Sequence, residues 1–309
     1  MKRTLSCGIA LALLALAGAS RAPAQPQPAN SNRDSMLMTV DWLAAHLSDP
    51  SLVLLQIGER MDYEKGHIPG AQYLEYAAIS TPHGHGLMLE LPPIEQLVSV
   101  FEKLGVSNSS RVILYFGKDW WTPTTRVYWT LDYMGLGDRA SVLDGGLPAW
   151  RDSGKPVSSD TKEPARGSIK PSIHPEIVAD AAWVSGHLNQ PGVTILDARS
   201  HEFYNGSSGD GTPRKGHIPG ATNLPYTDVV DQATNKLKNE AALRDLFQSA
   251  GLKPGNLMVS YCHIGQRATD LYFTAKLLGY NAKMYDGSWE DWSQRKDLPI
   301  VTGEAPGKP

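Results

Sequence analysis

Cys262 is followed five residues later by Arg267, and between them stand His263, Ile264, Gly265 and Gln266. A cysteine attacks electrophiles as its thiolate, and a guanidinium supplies a permanent positive charge with a planar fork of donors for oxyanions. A loop closed by those two groups can form a bond to one atom of a substrate and hold the anionic group beside it. Gly265 in mid-loop admits a left-handed backbone angle.

The flanking segments decide whether the loop is placed to do this. Leu257-Met258-Val259-Ser260-Tyr261 is a short apolar run, as a buried parallel strand should be. Ala268, Leu271, Tyr272, Ala275 and Leu278 fall at helical spacing and predict a helix with one apolar face, ending near Gly279. Residues 262–267 are then a strand-to-helix crossover. Backbone N–H groups of such a turn point inward, and the helix N-terminus adds the positive end of its dipole, so the loop can cradle an anion. In open α/β sheets ligands lie beyond the carboxyl ends of the strands, where Cys262 falls. The plainer reading is a small buried Cys with an Arg that caps local structure.

The whole chain has 309 residues, 41% hydrophobic and 20% charged. That is enough for one large core or two ordinary ones, and it excludes a disordered or fibrous protein. A formal charge of −3 advertises no nucleic-acid or membrane-surface partner. Lys2 and Arg3 precede the apolar run from Ile9 to Ala17, and small residues follow up to Ala24, the layout of a secretory signal peptide over residues 1–24. The run is too short to span a bilayer. Cleavage would remove Lys2, Arg3, Arg21 and no acid, leaving 26 basic against 32 acidic residues. It would also remove Cys7, so Cys262 would be a lone thiol with no internal disulfide in an oxidising compartment.

Lys65-Gly66-His67-Ile68-Pro69-Gly70-Ala71 recurs letter for letter as residues 215–221. Trp42 with His46 answers Trp183 with His187, and Asp144-Gly145 with Trp150 answers Asp286-Gly287 with Trp292. Two copies of one domain explain this, at residues 36–153 and 174–303, joined by a polar linker over 154–173. Each copy alternates strand-like and helix-like runs, which predicts an α/β domain with a mainly parallel central sheet flanked by helices. The polar stretch 205–211 is an insertion in the second copy.

Two Gly-His-Ile-Pro-Gly-Ala blocks, Asp197-Ala198-Arg199, a Cys-x-x-x-x-Arg loop in the second copy only, and the ending from Trp292 through Asp297-Leu298-Pro299 to Gly303 resemble a tandem-domain rhodanese over nearly the whole mature chain. The resemblance implies a catalytic C-terminal domain and an N-terminal domain without the cysteine; the stretch 115–121 has none. It implies ping-pong sulfur transfer, in which Cys262 takes the outer sulfur of thiosulfate as a persulfide and passes it to cyanide, a thiol or a protein acceptor. The loop N–H groups of His263, Ile264, Gly265 and Gln266, with Arg267, would hold the sulfonate. His263 and Arg267 resemble thiosulfate-type loops, whereas relatives that use 3-mercaptopyruvate tend towards Cys-Gly-Ser-Gly. The family often has an anion-binding Arg shortly after the Asp-Ala-Arg; here Glu202 stands there, with Arg214 or Lys215 as possible substitutes.

Asp197 reads equally as a brace for the loop or as a strand-end cap, and Arg199 as an internal salt-bridge partner. His67 and His217 read as turn residues, since only one copy carries a cysteine. Trp120 and Trp121 read as domain-interface residues. His83 and His85 lack further ligands, so no metal and no cofactor is expected. The expected location is the periplasm, with no membrane association after cleavage. Three competing readings are a 3-mercaptopyruvate sulfurtransferase, a persulfide carrier without turnover, and a binding module with an incidental thiol. A phosphatase of the related rhodanese-like class has five residues between Cys and Arg, against four here.

Overall fold

The computed structural model describes residues 31–308 apart from 83, 85, 119–120 and 210. Residues 1–24, where a signal peptide is expected, and His83, His85 and Trp120 lie outside the described residues. The first copy contains strands β1 (Leu37–Met38), β2 (Leu52–Ile57), β3 (Gln72–Tyr73), β4 (Arg111–Phe116) and β5 (Ala140–Leu143), and helices α1 (Arg33–Met36), α2 (Val40–His46), α3 (Arg60–Lys65), α4 (Ile94–Lys103), α5 (Trp121–Tyr133) and α6 (Gly146–Asp152). The second contains β6 (Val178–Ala179), β7 (Val193–Asp197), β8 (Thr222–Asn223), β9 (Val230–Asp231), β10 (Lys236–Leu237), β11 (Leu257–Tyr261) and β12 (Asn281–Tyr285), with α7 (Ala181–Gly186), α8 (His201–Asn205), α9 (Glu240–Ser249), α10 (Ala268–Leu277) and α11 (Ser288–Gln294).

The sequence repeat is a repeat of topology. One five-stranded parallel sheet runs β1-β5-β4-β2-β3 and the other β6-β12-β11-β7-β8, while β9 and β10 form a small antiparallel pair. The central strands β4 and β11 are apolar and almost wholly buried because helices cover both faces of each sheet. The shared blocks make the same contacts twice. His67 stacks on Tyr63 and His217 on Tyr204, at 4.0 and 3.8 Å between ring centroids. Nδ1 of each reaches the carbonyl of the residue it stacks on, and Nε2 reaches Asp160 O and Ala305 O respectively. Both histidines are buried and fasten the segment that follows their domain, through main-chain bridges to Ser158 and Val301. Residues 154–174 contain no regular element and lie along the first domain, with Gly167 N donating to Glu102 O and Lys170 N to the side chain of Asn108.

The one-faced helix expected after the Cys loop is buried on nearly every side: nine of the ten residues of α10 are buried. Its second face packs on α5, its counterpart in the first copy, which is buried in the same way. Tyr128 meets Phe273 edge-on at 4.9 Å, Thr125 Oγ1 lies 2.8 Å from Thr269 Oγ1, and Asp132 accepts from Tyr272 and Lys276. Polar residues on these helices are therefore interface residues, which is why the periodicity reported one face only. Trp121 is buried there too, its indole N–H donating to Asn235 O of the second domain.

Candidate active site

Cys262 follows the last residue of β11, the central strand, and its side chain is completely buried at one end of a cavity of about 530 Å³. Its backbone is fixed from both sides. Cys262 N donates to Ser288 Oγ at 3.1 Å, and Cys262 O accepts from Trp289 N at 3.0 Å. Next to it His263 O accepts from Glu290 N, so the start of α11 sets the height of the loop.

The loop turns at Gly265, whose φ is +76°. A Cβ there would lie 2.5 Å from Asp286 O, so glycine is required by conformation and by space. Among the described residues no acceptor engages the backbone N–H groups of Ile264, Gly265, Gln266 or Arg267. Unsatisfied amides at the head of a buried helix favour an anion. Ile264, Gln266 and Arg267 line the cavity together with Cys262 and His263, whereas Gly265 does not. The Arg267 guanidinium lies over the Tyr226 ring at 5.1 Å, with Nη1 3.4 Å from His263 Nδ1. The His263 ring meets Phe203 edge-on at 4.5 Å. Gln266 Nε2 reaches Thr122 Oγ1 of the first domain at 3.4 Å.

Asp197 and Arg199 lie behind this loop, not in the cavity. Both are buried, joined by Nε at 3.0 and 3.1 Å and by Nη2 at 2.6 Å; Arg199 also donates to Gly216 O. Asp197 caps its own strand by accepting Arg199 N at 2.9 Å. Its connection to the loop is indirect: the Arg199 guanidinium stacks 4.4 Å over the Trp289 ring, and the backbone N–H of Trp289 donates to Cys262 O.

The substitutes suggested for an anion-binding arginine are placed otherwise. Glu202 is exposed in the first turn of α8, where hydrogen bonds from its own backbone N–H and from Ser200 hold its pKa below the usual carboxylate range. It is Phe203 that faces the cavity. Arg214 donates to the carbonyls of Ser293, Leu298, Trp292 and Arg295, so its guanidinium serves as an internal tie. Lys215 is exposed and off the cavity wall.

Several wall residues carried no signal in the sequence. Met88 comes from the first domain and has its N–H 2.9 Å from Glu290 Oε2; both line the cavity. Gly211, Thr212 and Pro213 show that the end of the inserted stretch and the residues after it also line the cavity. The repeated Asp-Gly did mark a contact whose nature only the fold revealed: Asp286 accepts Leu91 N of the first domain, and Asp144 accepts Leu237 N of the second, both at 3.0 Å.

The loop can thus present a thiol to a small molecule while amides and a guanidinium hold a negative group. Comparisons with known proteins agree with that chemistry. The rhodanese-like domain family matches residues 39–153 and 180–295. The chain is 34% identical over 263 residues to the thiosulfate sulfurtransferase of Azotobacter vinelandii, covering 84% of this chain and 94% of that one. It is 30% identical over 284 residues to the sulfur carrier protein TtuD of Thermus thermophilus, covering 87% and 97%. The crystal structure of a 3-mercaptopyruvate sulfotransferase, SseA of Escherichia coli, superposes with a TM-score of 0.71 at 28% identity, covering 82% of this chain and 99% of that one.

Proposed function

This chain belongs to the rhodanese-like family of sulfurtransferases, and on that premise we propose that it transfers the outer sulfur of thiosulfate through a Cys262 persulfide. The observation that carries the reading is that the buried Cys262 shares one cavity with Arg267 and with Ile264 and Gln266, whose backbone N–H groups have no acceptor among the described residues. The Cys262 thiolate attacks the outer sulfur, a sulfur–sulfur bond forms, and the bond to sulfite breaks with its electron pair leaving on sulfite. The loop amides and Arg267 hold the sulfonate oxygens, then the negative outer sulfur of the persulfide. An acceptor, cyanide or a thiol, attacks that sulfur and restores the thiolate. His263 Nδ1 accepts from Arg267 Nη1 at 3.4 Å and so helps to hold the guanidinium over the cavity.

Thiosulfate is the preferred donor because Arg267 can hold one anionic group, and neither position 202 nor Arg214 adds a second cation for the carboxylate of 3-mercaptopyruvate. The leader-like residues 1–24 support export to the periplasm. The deciding experiment is thiocyanate formation from cyanide with each donor, with Cys262→Ser as control. Turnover with thiosulfate, lost in the variant, is expected. A folded protein that uses neither donor overturns the reading and leaves a carrier that hands sulfur to a protein partner, the role named for the Thermus relative.

A further inference from the structure

One side chain of the first domain reaches the loop that carries Cys262. Arg126, on α5, is completely buried and its guanidinium points into the second domain. Nη1 donates to Gly265 O at 3.1 Å and to Asp286 Oδ1 at 2.5 Å; Nη2 donates to Leu89 O at 2.5 Å. A single planar group therefore spans the middle of the Cys262 loop, the repeated Asp-Gly turn, and the first-domain segment that carries Met88.

We propose that Arg126 is a positioning residue for sulfur transfer: by holding the Gly265 carbonyl away from the cavity it turns the Gln266 N–H towards the anion. This rests on the functional reading above. The peptide unit is planar and trans, so its C=O and the following N–H point in opposite directions. Fixing the one fixes the other. Gly265 alone leaves the peptide free to rotate, since a glycine adopts many angles, and Arg126 supplies the missing constraint. The same guanidinium holds Leu89, which has an unusual left-handed φ of +61°, and so keeps Met88 on the cavity wall. The cysteine-free first copy thus has a defined task in the reaction, carried by one arginine.

The test compares Arg126→Met and Arg126→Lys with the whole protein and with Phe101→Leu, a first-domain core change off the cavity wall that controls for lost stability. The first readout is the Gln266 amide signal in a protein labelled with nitrogen-15 at glutamine. The second is steady-state thiocyanate formation. We expect the amide signal to move in both arginine variants and not in Phe101→Leu, with kcat falling at least tenfold in Arg126→Met and partly recovered in Arg126→Lys. An amide signal that stays in place, or a kcat within threefold of the parent in both variants, overturns the proposal. Should Arg126→Met not fold, the lysine variant decides by the same criteria. If the parent turns over neither donor, the functional reading fails while the amide signal still decides whether Arg126 sets the loop.

Discussion

Thr125 of the first domain donates its hydroxyl to the Asp270 carboxyl of the second at 2.6 Å, on facing turns of the two buried helices. Asp270 is completely buried, and that burial pushes its pKa up to about 8. The folded protein then binds a proton that the unfolded chain releases near pH 4, so between about pH 4 and 8 the native state holds more protons. Stability should fall as pH rises through that window, with a slope approaching ~1.4 kcal/mol per pH unit, and level off above it. Asp270→Asn should flatten the curve. Urea unfolding at several pH values checks both statements.

Glu290 places a carboxyl on the wall of a cavity expected to receive an anion. Replacing it with Gln keeps the shape and the contact to Met88 N while removing the repulsion. At an effective dielectric constant near 20 this is worth on the order of 1 kcal/mol, so KM for thiosulfate should drop about fivefold with little change in kcat. An unchanged KM would mean that the donor binds beyond the reach of Glu290.

The buried Arg199–Asp197 pair should be structural in its energetics. Arg199→Leu leaves an uncompensated buried carboxyl at the end of β7 and should cost about 3–5 kcal/mol of stability. Arg199→Lys should recover little, because one ammonium cannot reproduce the forked contact. Denaturation midpoints will show the loss, and KM for thiosulfate in the surviving folded fraction should hardly move.

Glu202 and Phe203 are adjacent in sequence but differ in what they face. An arginine at 202 should leave donor preference unaltered. Phe203→Arg instead brings a guanidinium into the cavity, and use of 3-mercaptopyruvate relative to thiosulfate should rise by about tenfold, a typical effect of one charge-assisted hydrogen bond. Competition assays with both donors distinguish the two variants.

The amino-acid sequence alone determined the local grammar of this protein. The duplicated seven-residue block revealed two copies, and an apolar run ending at Tyr261, with helical spacing from Ala268, located the Cys262 loop between a strand and a helix. Those signals depend on neighbours along the chain, where a period of two or 3.6 residues has a direct meaning. What the tertiary structure decided lies between segments remote in sequence. Arg126 meets Gly265 across 139 positions, Met88 meets Glu290 across 202, and α10 is buried on its polar side because α5 lies there. Periodicity carries no record of such contacts. The same limit applied to Glu202 and Phe203: a motif offset named the turn, but only the direction of the helix decided which side chain enters the cavity.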